Sequence, residues 1–415
     1  MVDQLSRSAI VLRLLLPFAL GYFLSYLYRV VNAVLAPDLI AELDLGPDDL
    51  GLLTASYFIT FAVAQLPLGI LLDRYGPRKI EAGLLLFAAL GALLFATGES
   101  RLELIIGRGL IGFGVSACLM AAFKAFTHWL KPQQLPMANG IIMAAGGLGA
   151  LSATTPVQAA LEIMDWRGVF VLLAGLTLLC AAIVFALVPN YRSTEKEQSA
   201  SEQLEGVKRV FRDRYFWAIA PVTMLSQASF ISIQSLWAGP WIQDVGGLSR
   251  HETADLLFLI AGAMVFGFLF IGTLTARLAR VGIRPVQVAA TGMLIFIIIQ
   301  VLIVLIPPAA WLTASWMAFG FFGTTGIVQY AVLSQHFPRH LGGRVNTAIN
   351  LLVFVAAFLL QWISGVVIDL WPQVTPGHYA VESYQTALGI LAAMQIIAFA
   401  WFIRSGVLGR PRTHG

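Results

Sequence analysis

The sequence is poor in charge. Of its 415 residues only 12% are Asp, Glu, Lys or Arg, against about 25% in a soluble globular protein. It has two cysteines, Cys118 and Cys180, both inside apolar stretches, so neither a disulfide framework nor a cysteine metal site is indicated. No nucleophile–base set, cluster of metal ligands or glycine-rich nucleotide loop can be found, and His128 and His336 stand alone at helix ends. An enzyme is not expected, nor a cofactor or a bound metal. The net charge of +4 would suit nucleic acid, but the placement of the basic residues argues against that partner.

What the chain has instead is apolar length. Hydrophobic residues make up 58%, and they fall in stretches of roughly 20 residues, the length that crosses about 30 Å of hydrocarbon. The first stretch has no small-residue cleavage site and reads as a retained helix. Hydropathy places twelve spans at about 12–36, 49–72, 80–98, 103–130, 137–161, 166–189, 215–243, 253–276, 285–306, 309–335, 345–371 and 384–404. The expected fold is an all-α integral membrane protein of twelve transmembrane helices.

The basic residues test that count. If both termini and the even-to-odd loops face the cytoplasm, twenty Lys and Arg lie on that side and only Arg101, Arg167 and Arg250 on the other. Cytoplasmic loops carry such an excess. A missing or spurious span would destroy the alternation. The reading is therefore a multi-pass cell-membrane protein, a bacterial inner membrane presumed, with both ends inside. The one long loop, 190–214, is polar and charged. It divides the chain into an N-terminal six-helix bundle (1–189), a cytoplasmic linker and a C-terminal six-helix bundle (215–415). Val207, Val210 and Phe211, flanked by Lys208, Arg209 and Arg212, suggest an amphipathic surface helix within the linker.

The halves look related. Residues 112–129 line up with 320–337 without gaps, setting Gly112 on Gly320 and His128 on His336, at span 4 and span 10. Repeats of this kind put a substrate site at the repeat interface near the midplane.

Span 2 ends in Gly69-Ile-Leu-Leu-Asp73-Arg74-Tyr-Gly76-Pro-Arg78-Lys79. This resembles the loop 2–3 signature of the major facilitator superfamily. The segment Gly107-Arg108-Gly-Leu-Ile-Gly112-Phe-Gly114 resembles that superfamily's span-4 pattern, and loop 8–9 carries a degraded copy of the first motif around Gly272 and Arg277. The resemblance implies two pseudo-symmetric six-helix bundles working by alternating access. It also implies that Gly69, Asp73, Arg74, Gly76 and Arg78 latch the cytoplasmic ends of the halves in one state, with Arg108 as a structural or coupling arginine. On chemical grounds Asp73 sits at the negative end of a helix, where neighbouring cations compensate it. Arg78 and Lys79 as plain headgroup anchors remain the alternative.

Charges within spans are costly, roughly 2.5–3.5 kcal/mol for an Arg or Lys at a helix centre by insertion scales, and are kept for a cavity or a partner. Arg29 lies deep in span 1 and shares a helical face with Tyr22, Ser25, Tyr26 and, at the edge, Asn32. The segment Tyr28–Pro37 resembles span 1 of the anion:cation symporter branch, where an arginine and an asparagine three residues on hold an anion; Tyr28 stands where that branch usually has aspartate. Structural pairing of Arg29 is the alternative. Lys124 in span 4 either lines the cavity or snorkels to the interface. Gln227, Phe230, Gln234, Trp237 and Trp241 form one stripe on span 7, lining a cavity or bonding between helices. Thr325, Gln329, Asn346 and Asn350 are further candidates.

Acids are scarce inside the spans. Apart from Asp73, none is expected well within one; Glu162, Asp165 and Asp369 sit at outer ends. Pumps that expel cationic drugs against protons need a buried carboxylate. The reading is thus a secondary transporter of a small organic anion, a carboxylate or similar metabolite, with a proton or a sodium ion as coupling partner, the lipid bilayer as solvent, and a monomer as the unit. The alternative is a transporter or efflux pump for neutral or amphipathic molecules. A non-transporting receptor is a third reading, disfavoured by the intact loop signature.

Overall fold

The computed structural model describes residues 10–130, 134–190, 200–338, 341–375 and 377–408. Arg7, Lys131, Arg192, Lys196, Arg339, Arg410 and Arg412 of the basic count, and the linker's first residues, lie outside them. Among the described residues ten helices are long and apolar enough to cross a membrane. An eleventh crossing is a bent pair, Pro47–Gln65 and Pro67–Tyr75; Pro67 lacks the amide that would close the preceding turn. At the fifth position stands a shorter apolar helix, Met137–Ser152. All fall on the expected spans, and those numbers are kept below.

Among the described residues five further spans are interrupted. Span 1 passes from Leu16–Val30 into Asn32–Leu43, and span 5 from Leu135–Ser152 into Thr155–Ala160. Span 7 widens over Ile233–Trp237. Span 4 breaks between Arg101–Val115 and Cys118–Trp129, and span 10 at Gly323–Gly326. The last two breaks are equivalent. The alignment that sets Gly112 on Gly320 sets Ser116 on Thr324. Ser116 Oγ donates to Phe113 O at 2.7 Å, and Thr324 Oγ1 donates to Phe321 O at 2.7 Å. A hydroxyl competing for a helix carbonyl in this way bends the helix, so the repeat extends to its local cause.

Span 3 packs on spans 4 and 6 in the N-terminal bundle, and span 7 on spans 11 and 12 in the C-terminal one. The bundles meet where span 2 lies on span 11 and span 5 on span 8. The linker helix Ala200–Arg212 seats the buried Val210 beside Leu341 and Val345, against span 11.

We call the side bearing loop 2–3 and the linker the terminal face. On the opposite face a short antiparallel hairpin, Gln373–Thr375 with His378–Tyr379, joins spans 11 and 12. Asp244 at the end of span 7 ties it down, accepting from the Tyr379 amide at 3.0 Å and the Tyr384 hydroxyl at 2.6 Å, with His378 Nδ1 at 2.6 Å.

Candidate functional site

Arg29 sits where the bundles meet and is 7% exposed. Its guanidinium carbon lies 4.4 Å from the centre of the Tyr26 ring, 5.7 Å from Phe61 and 5.3 Å from Phe354. Tyr26 is on span 1 and Phe61 on span 2. Phe354, on span 11, belongs to the other bundle. The Tyr57 hydroxyl stands beside the guanidinium and donates to Ser25 O at 3.1 Å. Tyr330 of span 10 faces Arg29 and Tyr26 from the C-terminal bundle, its hydroxyl 3.4 Å from Asn350 Oδ1.

Local sequence explains the stacking. Tyr22 and Tyr26, one turn apart, pack edge to face at 5.2 Å. They rest on Gly146 of span 5, where any Cβ would meet the ring of Tyr22 at 2.6 Å and of Tyr26 at 2.8 Å. A small residue here lets the two helices close on each other.

Each ring face is worth about 0.5–1 kcal/mol to a cation at an exposed site and about 2 when desolvated. Three of them are enough to offset the roughly 2.5–3.5 kcal/mol of inserting an arginine. They do not neutralise it. Among the described residues no carboxylate pairs with Arg29, and its Nε has no hydrogen-bond partner. The result is a cation in an aromatic cage that lacks an anion.

The other sequence candidates are not all gathered there. Asn32 is fully buried and donates to Thr54 Oγ1 at 3.0 Å, joining spans 1 and 2. Lys124 lies near the terminal face, paired with Asp73 at 2.8 Å. Gln227 donates to Gly323 O at 2.9 Å and so satisfies a carbonyl at the break in span 10. Gln234 reaches Met264 Sδ at 3.2 Å, and the Trp237 indole donates to Gln361 O at 3.0 Å. Gln329 is fully buried with neither amide atom partnered.

The signature loop is held within its own bundle. Gly76, at φ 80°, makes the corner between spans 2 and 3, a left-handed conformation that suits glycine. Arg78 donates to Asn190 Oδ1 at 3.0 Å and lies over Phe185; Arg74 lies over Tyr75. The backbone at Gly69 is open, with space for a Cβ. Arg108 is fully buried over the Tyr57 ring at 5.1 Å, and its three guanidinium nitrogens have no hydrogen-bond partner.

On the opposite face the bundles are tied together. Arg250 of span 8 grips both carboxylate oxygens of Asp38 and donates through Nε to Gln158 Oε1 at 3.0 Å. Thr155 Oγ1 donates to Asp255 Oδ1 at 3.1 Å, and His251 stands 3.3 Å from Glu162. A cleft of about 390 Å³ opens beside this seam, lined by Asp38, Glu42, Gln158, Asp165 and Arg250 among others.

Sequence reasoning missed Tyr57, Phe61, Tyr330 and Phe354, because an aromatic residue in an apolar span carries no signal of which ring faces a cation. It also missed Glu81. No acid besides Asp73 was expected well within a span, and burial was not foreseen for Glu81, which is fully buried near the start of span 3. Hydropathy boundaries are uncertain by about a turn, and a carboxylate that close to a basic loop reads as solvated.

Two helical bundles closed on a buried cation make a multi-pass membrane fold. The chain belongs to the Major Facilitator Superfamily, whose family model matches residues 18–361. It is 26% identical to the hexuronate transporter of Escherichia coli K12 over 60% of this chain and 62% of that one. It is 23% identical to the probable L-galactonate transporter of the same organism over 92% and 87%. A probable sulfoacetate transporter of Cupriavidus necator is 28% identical over 44% and 43%. The match thus spans 43% of the sulfoacetate relative and 62% of the hexuronate one. A solved bacterial homolog of the human lysosomal transporter Spinster, inward-facing and unoccupied, superposes with a TM-score of 0.79 at 18% identity over 97% and 98%; this speaks for the fold alone.

Proposed function

We propose that the protein carries a small organic anion, a sugar acid or similar carboxylate, by alternating access, with Arg29 as the group that binds the anion. The observation that carries this reading is the caged guanidinium of Arg29, buried between the bundles without a carboxylate. A substrate carboxylate supplies the missing charge through a bidentate contact, and the tyrosines Tyr22, Tyr26, Tyr57 and Tyr330 offer hydroxyls and ring faces to the rest of the molecule. Asn32, Gln227, Gln234, Trp237 and Gln329 support the walls and do not touch the solute. The relatives named for hexuronate and galactonate favour the sugar-acid class. The basic bias supports a cytoplasmic terminal face, which makes the Arg250–Asp38 seam a closure on the external side. The two bundles rock about Arg29, and a monomer suffices.

The test is counterflow of labelled glucuronate or galactonate in liposomes. Wild type exchanges the label and Arg29→Ala loses exchange, with Arg29→Lys partly restoring it. If Arg29→Ala exchanges every accepted solute as well as wild type, the site is wrong. Resistance to unrelated lipophilic drugs in a pump-deficient strain, without sugar-acid exchange, sinks the anion reading.

A further inference from the structure

Glu81 is a buried group for which neither the fold nor the anion site has a use. It projects from span 3 into the N-terminal bundle, between span 1, span 4 and span 6. Span 1 presents only the backbone of Gly21, where any Cβ would overlap Glu81 Oε1. Span 4 presents the Cys118 thiol, and span 6 the Cys180 thiol. Neither carboxyl oxygen has a hydrogen-bond partner of normal geometry. Among the described residues no arginine or lysine is paired with it, and the facing titratable groups are the two thiols.

An ionised carboxylate so enclosed costs several kcal/mol even after relaxation, so this packing holds the neutral acid. Ionisation requires water or a cation to reach it, which means a different packing. Glu81 also lies at a joint. Cys118 is the first residue of the inner half of span 4, immediately after the Ser116–Ala117 break. That half-helix carries Lys124, the partner of Asp73 in the signature loop.

We infer that Glu81, set against Gly21 and against Cys118 at the break in span 4, is the site that takes up and releases the coupling proton. The inference rests on the transport reading above. With Glu81 protonated the inner half of span 4 packs as seen here. With Glu81 ionised the half-helix moves, and the movement is passed to the Lys124–Asp73 pair. Because the proton and the conformation share one equilibrium, each biases the other by the same amount.

The experiment compares two readouts on one reconstituted protein: accumulation of labelled galactonate driven by a pH gradient, and gradient-free counterflow of the same label. Glu81→Gln keeps the neutral shape and is expected to lose gradient-driven accumulation while keeping counterflow. Glu81→Asp is expected to keep accumulation with a displaced pH profile. Accumulation by Glu81→Gln equal to wild type overturns the inference. So does equal loss of both activities in Glu81→Gln and Glu81→Asp, which marks a packing role. If wild type exchanges no sugar acid, the anion reading is what fails, and Glu81 is then read by infrared spectroscopy of the purified protein. A buried protonated-carboxyl band present in wild type and missing in Glu81→Gln supports the site; its absence from wild type overturns it.

Discussion

On the face opposite the termini Arg250 pairs with Asp38 across the bundles, beside Arg101–Asp49 and Arg167–Glu42 within one; on the terminal face Lys124–Asp73 pairs within one. Arg250 reaches from span 8 to Asp38 on span 1, whereas Lys124 and Asp73 both belong to the N-terminal bundle, as do Arg78 and Asn190. The same kind of bond therefore does different work at the two ends. A cross-bundle pair must be broken for the bundles to part. An intra-bundle pair travels with its bundle and shapes it. The loop signature, expected to latch the halves, here braces spans 2, 4 and 6 against one another.

The largest effect that tests this contrast comes from the seam. Asp38→Asn leaves Arg250 with Gln158 alone. A hydrogen bond to a charged group contributes about 1.5–3 kcal/mol, and because both side chains are about a third exposed the lower end applies. That is roughly a tenfold shift in population toward parting of the opposite ends. Spin labels at the exposed Ile163 and Leu370 should show a longer distance in Asp38→Asn, restored when Asp38→Arg is combined with Arg250→Asp. An unchanged distance distribution would leave the seam without a gating role.

The terminal face should respond differently. Lys124→Ala removes a pair whose carboxylate side is 55% exposed, so stability should change by only about 0.2–1 kcal/mol and less at high salt. Counterflow should slow while the concentration for half-maximal rate stays put, since Lys124 is remote from Arg29 in this fold. A large rise in that concentration would return Lys124 to the substrate site and erase the distinction between the faces.

Much of the architecture was legible beforehand, for physical reasons. Spans must be long and apolar, and hydropathy reads that directly. The breaks at Ser116, Ile233 and Gly323 were not, because hydropathy averages over a whole span and a serine hydroxyl bonding to Phe113 O costs it almost nothing. Arg29 was found because charge in hydrocarbon is rare. Its cage was not, since Phe354 meets Arg29 only after two bundles dock. Asn32 and Gln227 stood out by polarity, and each donates to a neighbouring helix.

The smallest effect concerns a local penalty on the seam's own face. Asp369 follows span 11 beside Asp48 and Asp49, and partial burial, with those two carboxylates behind it, raises its pKa from the ordinary aspartate value. The sign follows from linkage: the folded state binds the proton more tightly than the unfolded chain, so this group favours folding at acid pH and loses that advantage as pH rises through its folded value. Asp369→Asn removes the repulsion. It should therefore raise the melting temperature slightly at neutral pH, and the gain should vanish below the carboxylate range, where all three acids are neutral. A thermal-shift series across pH checks it. A gain that persists unchanged into acid would assign the effect to packing at Gly46, whose Cβ position lies 3.4 Å from Asp369 Oδ1, and not to charge.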